Sequence, residues 1–193
     1  MTRKSIPALV AGSLAALAMG IAVPTEVQAH MVQAPCDFIT AGGFVFKDNG
    51  AMANFGAHGG CKNNEFWGNV NFVDHEHNFH LKSTRITGYL FDPATPNSRD
   101  VCGWARVNDS ANEVMFRIRL VDNGEPGTND TFGITIDNWN APTRFYHISS
   151  RKLANGEGGG GNVQLHKGNK SNTASPGMLA LQEWQMCGDM MHP

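Results

Sequence analysis

The sequence predicts an all-β fold, an antiparallel sandwich or barrel of about eight strands with a short C-terminal helix. Three observations carry that prediction. Short runs alternate apolar and polar residues, clusters of glycine, asparagine, aspartate and proline separate them, and a single stretch near the C-terminus has helical spacing. Short strands with turn chemistry between them are the pattern of a sandwich or a barrel.

The first expected strand, 51–57, follows the turn Lys47-Asp48-Asn49-Gly50, and strands at 66–73 and 79–87 come next. Asp92-Pro93-Ala94-Thr95-Pro96-Asn97 then breaks the pattern with residues that favour tight turns. Strands at 101–108 and 114–121 follow. In the second of these, Phe116, Ile118 and Leu120 share one face, while Arg117 and Arg119 take the other. That alternation predicts an antiparallel strand with one side in water. The loop from Asp122 to Asp130 contains Asn-Gly, a strong hairpin signal. Its oxygens (Asp122, Asn123, Glu125, Asn129, Asp130) lack the alternate spacing of a calcium loop, so a hairpin turn is expected.

Strands at 132–136, 144–148 and 162–166 complete the set, with Phe55, Phe72, Phe116, Ile118, Phe132, Ile134 and Ile136 facing inward. The glycine run 156–161 reads either as a flexible loop or as a close backbone approach. The helix is expected over 178–186, with Leu179, Leu181 and Trp184 docking on the sheet.

At the N-terminus, Arg3 and Lys4 precede an apolar run from Ile6 to Val23, and Val27-Gln28-Ala29 supplies small residues before a cut. Residues 1–29 therefore read as a signal peptide, and cleavage leaves His30 first. Residues 30–193 form one β domain, with its core at 36–168 and a C-terminal extension at 169–193. Without Arg3, Lys4 and Glu26, the 15 bases become 13 and the 17 acids 16, a net charge near −3. That excludes a nucleic-acid footprint, and no later apolar run reaches the length of a spanning helix. A secreted or periplasmic protein is expected, without membrane attachment after cleavage. In that oxidising space Cys36, Cys61, Cys102 and Cys187 form two disulfides, by any of three pairings.

Several fragments in order have a familiar look: Ile39-Thr40-Ala41-Gly42-Gly43-Phe44, Ala53-Asn54-Phe55-Gly56, Phe79-His80-Leu81-Lys82-Ser83-Thr84 and Ala105-Arg106-Val107-Asn108. Asp122-Asn123-Gly124-Glu125-Pro126-Gly127, Asp130-Thr131-Phe132-Gly133-Ile134-Thr135-Ile136 and Val163-Gln164-Leu165-His166 follow. Together, over about 36–168, they resemble the post-COAP domain family of secreted bacterial proteins. The resemblance implies a compact extracellular all-β module, often attached to or found near surface-anchored proteins, and it carries over no catalytic residue. The cysteines, the His75-Glu76-His77 cluster and both tails depart from the pattern. At His80 and His166, which fit family positions, it implies a structural role.

Asp74-His75-Glu76-His77-Asn78-Phe79-His80 is the densest polar cluster, and Phe79 rules out the helical zinc-protease spacing. In an extended strand His75 and His77 share a face. With the imidazole and free amine of His30 they form a nitrogen-rich set suited to Cu(II). This set (His30, His75, His77) resembles the histidine brace of copper monooxygenases and of some periplasmic copper carriers. The alternative is a wet strand face or a hairpin. Met186, Met190, Met191 and His192 in the tail, with Met31, offer softer donors suited to Cu(I), or else a frayed end held through Cys187. His58 and His147 read as core-edge or surface residues. Trp67, Trp104, Trp139 and Trp184 read as core residues in preference to a sugar-stacking face. No nucleophile elbow is present.

The function expected first is a non-catalytic exported β-domain binding protein, able to take a transition metal such as copper, with a protein or glycan partner at the cell surface. A histidine-brace, copper-dependent oxidative enzyme and a surface-associated structural or adhesion module are the alternatives.

Overall fold

The structure is a computed structural model that describes residues 31–137, 144–154, 158–190 and 192–193. Residues 1–29, expected to be a signal peptide, and His30, Trp139 and Met191 lie outside the described residues. The strands are β1 (Val32–Gln33), β2 (Phe38–Phe46), β3 (Met52–Lys62), β4 (Glu65–Asp74) and β5 (Phe79–Asp92). They continue as β6 (Thr95–Val107), β7 (Glu113–Val121), β8 (Thr131–Asp137), β9 (Arg144–Lys152) and β10 (Gly159–His166). From β2 to β9 each strand pairs antiparallel with the next, while β10 returns to pair with β2 and β1 lies against β5. The result is a nearly closed, barrel-like sheet.

All seven residues expected to face inward are buried, none more than 5% exposed. Phe55, Phe72 and Phe132 stack, with Phe55 and Phe132 centroids 3.9 Å apart. Burying each such ring is worth about 1.5–3 kcal/mol. Two strands lie beyond the expected eight. β2 was obscured because Phe38, Phe44 and Phe46 fall on the opposite face from the buried Ile39 and Val45. β1 is only two residues long. β6 also begins earlier than expected, at Thr95, so the turn before it narrows to Pro93 and Ala94.

The described part of the glycine run is a close approach. A Cβ on Gly161, at φ 135°, would stand 2.2 Å from the Gly42 carbonyl oxygen. On its other side β10 is sealed by the β7–β8 loop. The buried Asp130 carboxylate accepts from the amides of Asn123 and Val163, both at 2.7 Å, and Asp122 accepts from Leu165 N at 2.8 Å. These carboxylates serve backbone amides, as the hairpin reading requires, and they cover an edge that would otherwise offer unpaired groups.

The outer face of β7 is not wet. Arg117 is fully buried, because the C-terminal segment folds over it. That segment holds α1 (Pro176–Leu179) and α2 (Glu183–Cys187) in place of one helix, broken where Gln182 caps α2 through a capping box. Its inward residues are Met178, Met186 and Cys187; of the three residues expected to dock, the half-buried Leu181 packs inward, while Leu179 is 62% and Trp184 65% exposed. The disulfide Cys102–Cys187 and a bond from Thr87 Oγ1 to the Met186 carbonyl fix that phase. Met31, Leu90, Met115, Met186 and Met190 pack around this disulfide as a second, smaller core. The other disulfide joins Cys36 to Cys61. Two disulfides fit an oxidising, extracytoplasmic compartment. Among the described residues no helix is long and apolar enough to cross a membrane.

Candidate cation site at the barrel mouth

The alternation of β4 places Val70, Phe72 and Asp74 on the inward face, so the last of them brings a carboxylate to the rim of the barrel interior. Asp74 is fully buried and heavily partnered. Its Oδ2 accepts from Lys47 Nζ at 2.8 Å and from Tyr146 OH at 2.9 Å, and His77 Nδ1 lies 2.9 Å away. Its Oδ1 accepts from the Glu76 amide at 3.0 Å, closing a tight turn after the strand. Asn78, at φ 49°, completes that turn before β5 begins.

Lys47 comes from the β2–β3 turn and is inserted among the donors. Its ammonium also donates to Glu76 and lies 3.1 Å from His77 Nδ1. Asn49 donates to both oxygens of Glu76, at 2.8 and 2.9 Å. Asp74, Glu76 and His77 offer one ligand atom each, all within 4.8 Å of one another. Beside them a groove of about 270 Å³ opens, lined by Asn49, His77, Tyr146, His147 and Arg151 among others. Arg151 pairs with the exposed Asp48 across it.

The electrostatics favour a cation. Burial pushes the Asp74 carboxyl up, but hydrogen bonds from His77, Lys47 and Tyr146 outweigh it and hold the group well below the usual carboxylate range. Hydrogen bonds from Lys47 and then Asn49 hold Glu76 below its usual value as well. Burial pulls the Lys47 ammonium down, yet Asp74 and Glu76 raise it overall, and burial followed by Asp74 pushes the Tyr146 hydroxyl far up. Two carboxylates against one ammonium leave a single negative charge uncompensated when His77 is neutral.

Of the expected histidine set, His75 and His77 lie among the described residues, and the shared strand face expected for them is not formed. His75 and His77 belong to the turn between β4 and β5, not to an extended strand, and they have different partners. His75 Nε2 meets Asn54 Oδ1 at 2.6 Å, whereas His77 turns to Asp74 and Lys47. His30 lies outside the described residues. Its neighbour Met31 packs in the second core, and Val32 pairs with Phe91 at the far end of β5.

Elsewhere, His80 bonds Asn71, His166 bonds Thr40 and stacks on Phe38, and His147 bonds Thr135. Burial pushes His58 below its ordinary value, beside Trp67. His192 is held by Arg117. The described tryptophans, Trp67, Trp104 and Trp184, all stand outside the barrel core.

Sequence reading missed Lys47 and Tyr146 as site residues, since neither has a local signature. Asp74 had one: an acid in phase with Val70 and Phe72. No family model matches the chain, and no curated protein or solved structure matches it.

Proposed function

We propose that this chain is an exported, non-catalytic β-domain binding protein that holds a divalent transition-metal ion at the barrel mouth through Asp74, Glu76 and His77. The observation that carries this reading is the convergence of one buried carboxylate, one exposed carboxylate and one imidazole on a point already filled by a cationic side chain. A divalent ion in place of the Lys47 ammonium brings the local charge to zero, and the flexible lysine stem carries the displaced ammonium into the groove. One nitrogen and two carboxylate oxygens suit borderline ions. Cu(II) heads the affinity order, so copper is the first ion to test and zinc the second. The fragments that resemble the post-COAP family, the leader-like first 29 residues and the two disulfides support export.

Calorimetric titration of Cu(II) and Zn(II) tests the reading. The parent should bind one ion, Asp74→Asn and His77→Ala should lose at least tenfold in affinity, and Lys47→Met should gain. His75→Ala should change nothing. The reading fails if neither the parent nor Lys47→Met binds, or if Asp74→Asn binds as the parent does. Loss on His75→Ala and on adding a residue before His30 would instead return the three-histidine copper set and its oxidative chemistry.

A further inference from the structure

The groove beside the cation site contains a guanidinium whose hydrogen-bonding edge is only half used. Register opposes Ile134 to Ile148 and Phe132 to Arg151, so β9 takes three steps where β8 takes two, and this bulge returns Arg151 to the core face. β9 is also the last strand of the sheet order, with no ladder on its other side among the described residues. Arg151 therefore stands at the open seam, where it lines the groove with Lys47, Asn49 and His77.

Arg151 Nη2 donates to Asp48, whose side chain is 94% exposed. An ion pair held in that much water is weak and exchanges readily. Arg151 Nε is buried and has no hydrogen-bond partner among the described residues. A desolvated charged donor without an acceptor is costly. Nε and Nη2 form the edge that takes a carboxylate through two parallel bonds. Arg99 shows that arrangement completed, its Nε and Nη2 donating to the two oxygens of Asp37. At Arg151 the acceptor for the second bond has to come from outside.

The opposite wall is the cation cluster. His77 lines the groove, so an ion held by Asp74, Glu76 and His77 faces it. Three protein donors leave at least one coordination position for an outside ligand. Charge then decides when an anion can enter. Without metal, and with the histidines neutral, Asp48, Asp74 and Glu76 set three negative charges against the two positive ones of Lys47 and Arg151, a sum of −1. A divalent ion makes the sum +1, and the displaced Lys47 ammonium joins Arg151 in the groove.

We propose that the groove binds a small dicarboxylate once the ion is in place. One carboxylate takes Arg151 Nε and Nη2 in place of Asp48, and the other completes the coordination of the ion beside Lys47. The proposal rests on the metal reading above and names the second component of that site. A volume of about 270 Å³ falls just under the range of drug-sized sites, which matches a short carbon chain. The coupling is reciprocal, so the dicarboxylate tightens the ion by the factor through which the ion tightens the dicarboxylate.

Calorimetric titration of succinate into the full chain, metal-free and loaded with Cu(II) or Zn(II), tests this, with uncharged succinamide as the control. Succinate should bind the loaded parent at least tenfold more tightly than the metal-free parent, and succinamide should not bind. Arg151→Gln should lose at least tenfold in succinate affinity while its affinity for the ion alone holds. Asp48→Asn, which removes the competing carboxylate, should gain. Glu76→Gln lowers the negative charge without any ion, and it should tighten succinate in the metal-free protein. A parent that takes neither ion ends the metal reading and this proposal with it. If the ion binds, the groove proposal alone is overturned when succinate is held equally with and without it, equally by Arg151→Gln, or no more tightly than succinamide.

Discussion

Arg117 and Asp100 meet beneath the C-terminal segment, Nε donating to Oδ2 at 2.7 Å, with both side chains fully buried. The same guanidinium donates to Glu183 at 2.8 Å, to the Met190 carbonyl at 3.1 Å and to His192 Nδ1 at 2.8 Å. One side chain of β7 therefore anchors the tail at three points. Arg117→Met leaves Asp100 buried without its main partner, and stability should fall by about 3–5 kcal/mol. Denaturant unfolding measures the loss. Hydrogen exchange should show residues 183–190 opening well below the global transition.

The covered edge of β10 gives a second test. Asp130→Ala leaves the amides of Asn123 and Val163 without acceptors, at about 1–3 kcal/mol for each buried group. Amide exchange at Val163 should accelerate, and the variant should associate at concentrations where the parent does not.

The two disulfides should differ in worth. Cys102–Cys187 closes a loop with a separation of 85 residues and Cys36–Cys61 one of 25. On chain entropy alone, removing the longer link costs about 1 kcal/mol more. Paired alanine variants compared by urea unfolding check the order.

Acid should destabilise the metal-free protein through Asp74. Its folded pKa lies below its unfolded value, near about 4. The stabilisation is present above that value and is lost as pH falls through and below it. With chelator present, Asp74→Asn should flatten the acid limb of stability against pH. An unchanged limb would assign the acid sensitivity to other carboxylates.

The alternation of Phe116, Ile118 and Leu120 made the barrel interior legible, because a period of two depends only on neighbours in the chain. It could not reveal that Arg117 is dry. The cover arrives from Glu183, Met190 and His192, and nothing near Arg117 announces it. Leu179 and Trp184 misled for a related reason: helical spacing names a face, but the bond to Cys102 decides which face turns inward. At the mouth, the cluster from Asp74 to His77 was visible as chemistry. The turn that separates His75 from His77, and the arrival of Lys47 and Tyr146, are products of strand register.

The two disulfides are nested in neither direction: Cys36–Cys61 closes within β1 to β3, and Cys102–Cys187 spans from β6 to the C-terminal segment. Each can therefore close without threading the other, and only the second ties the tail to the barrel that it covers.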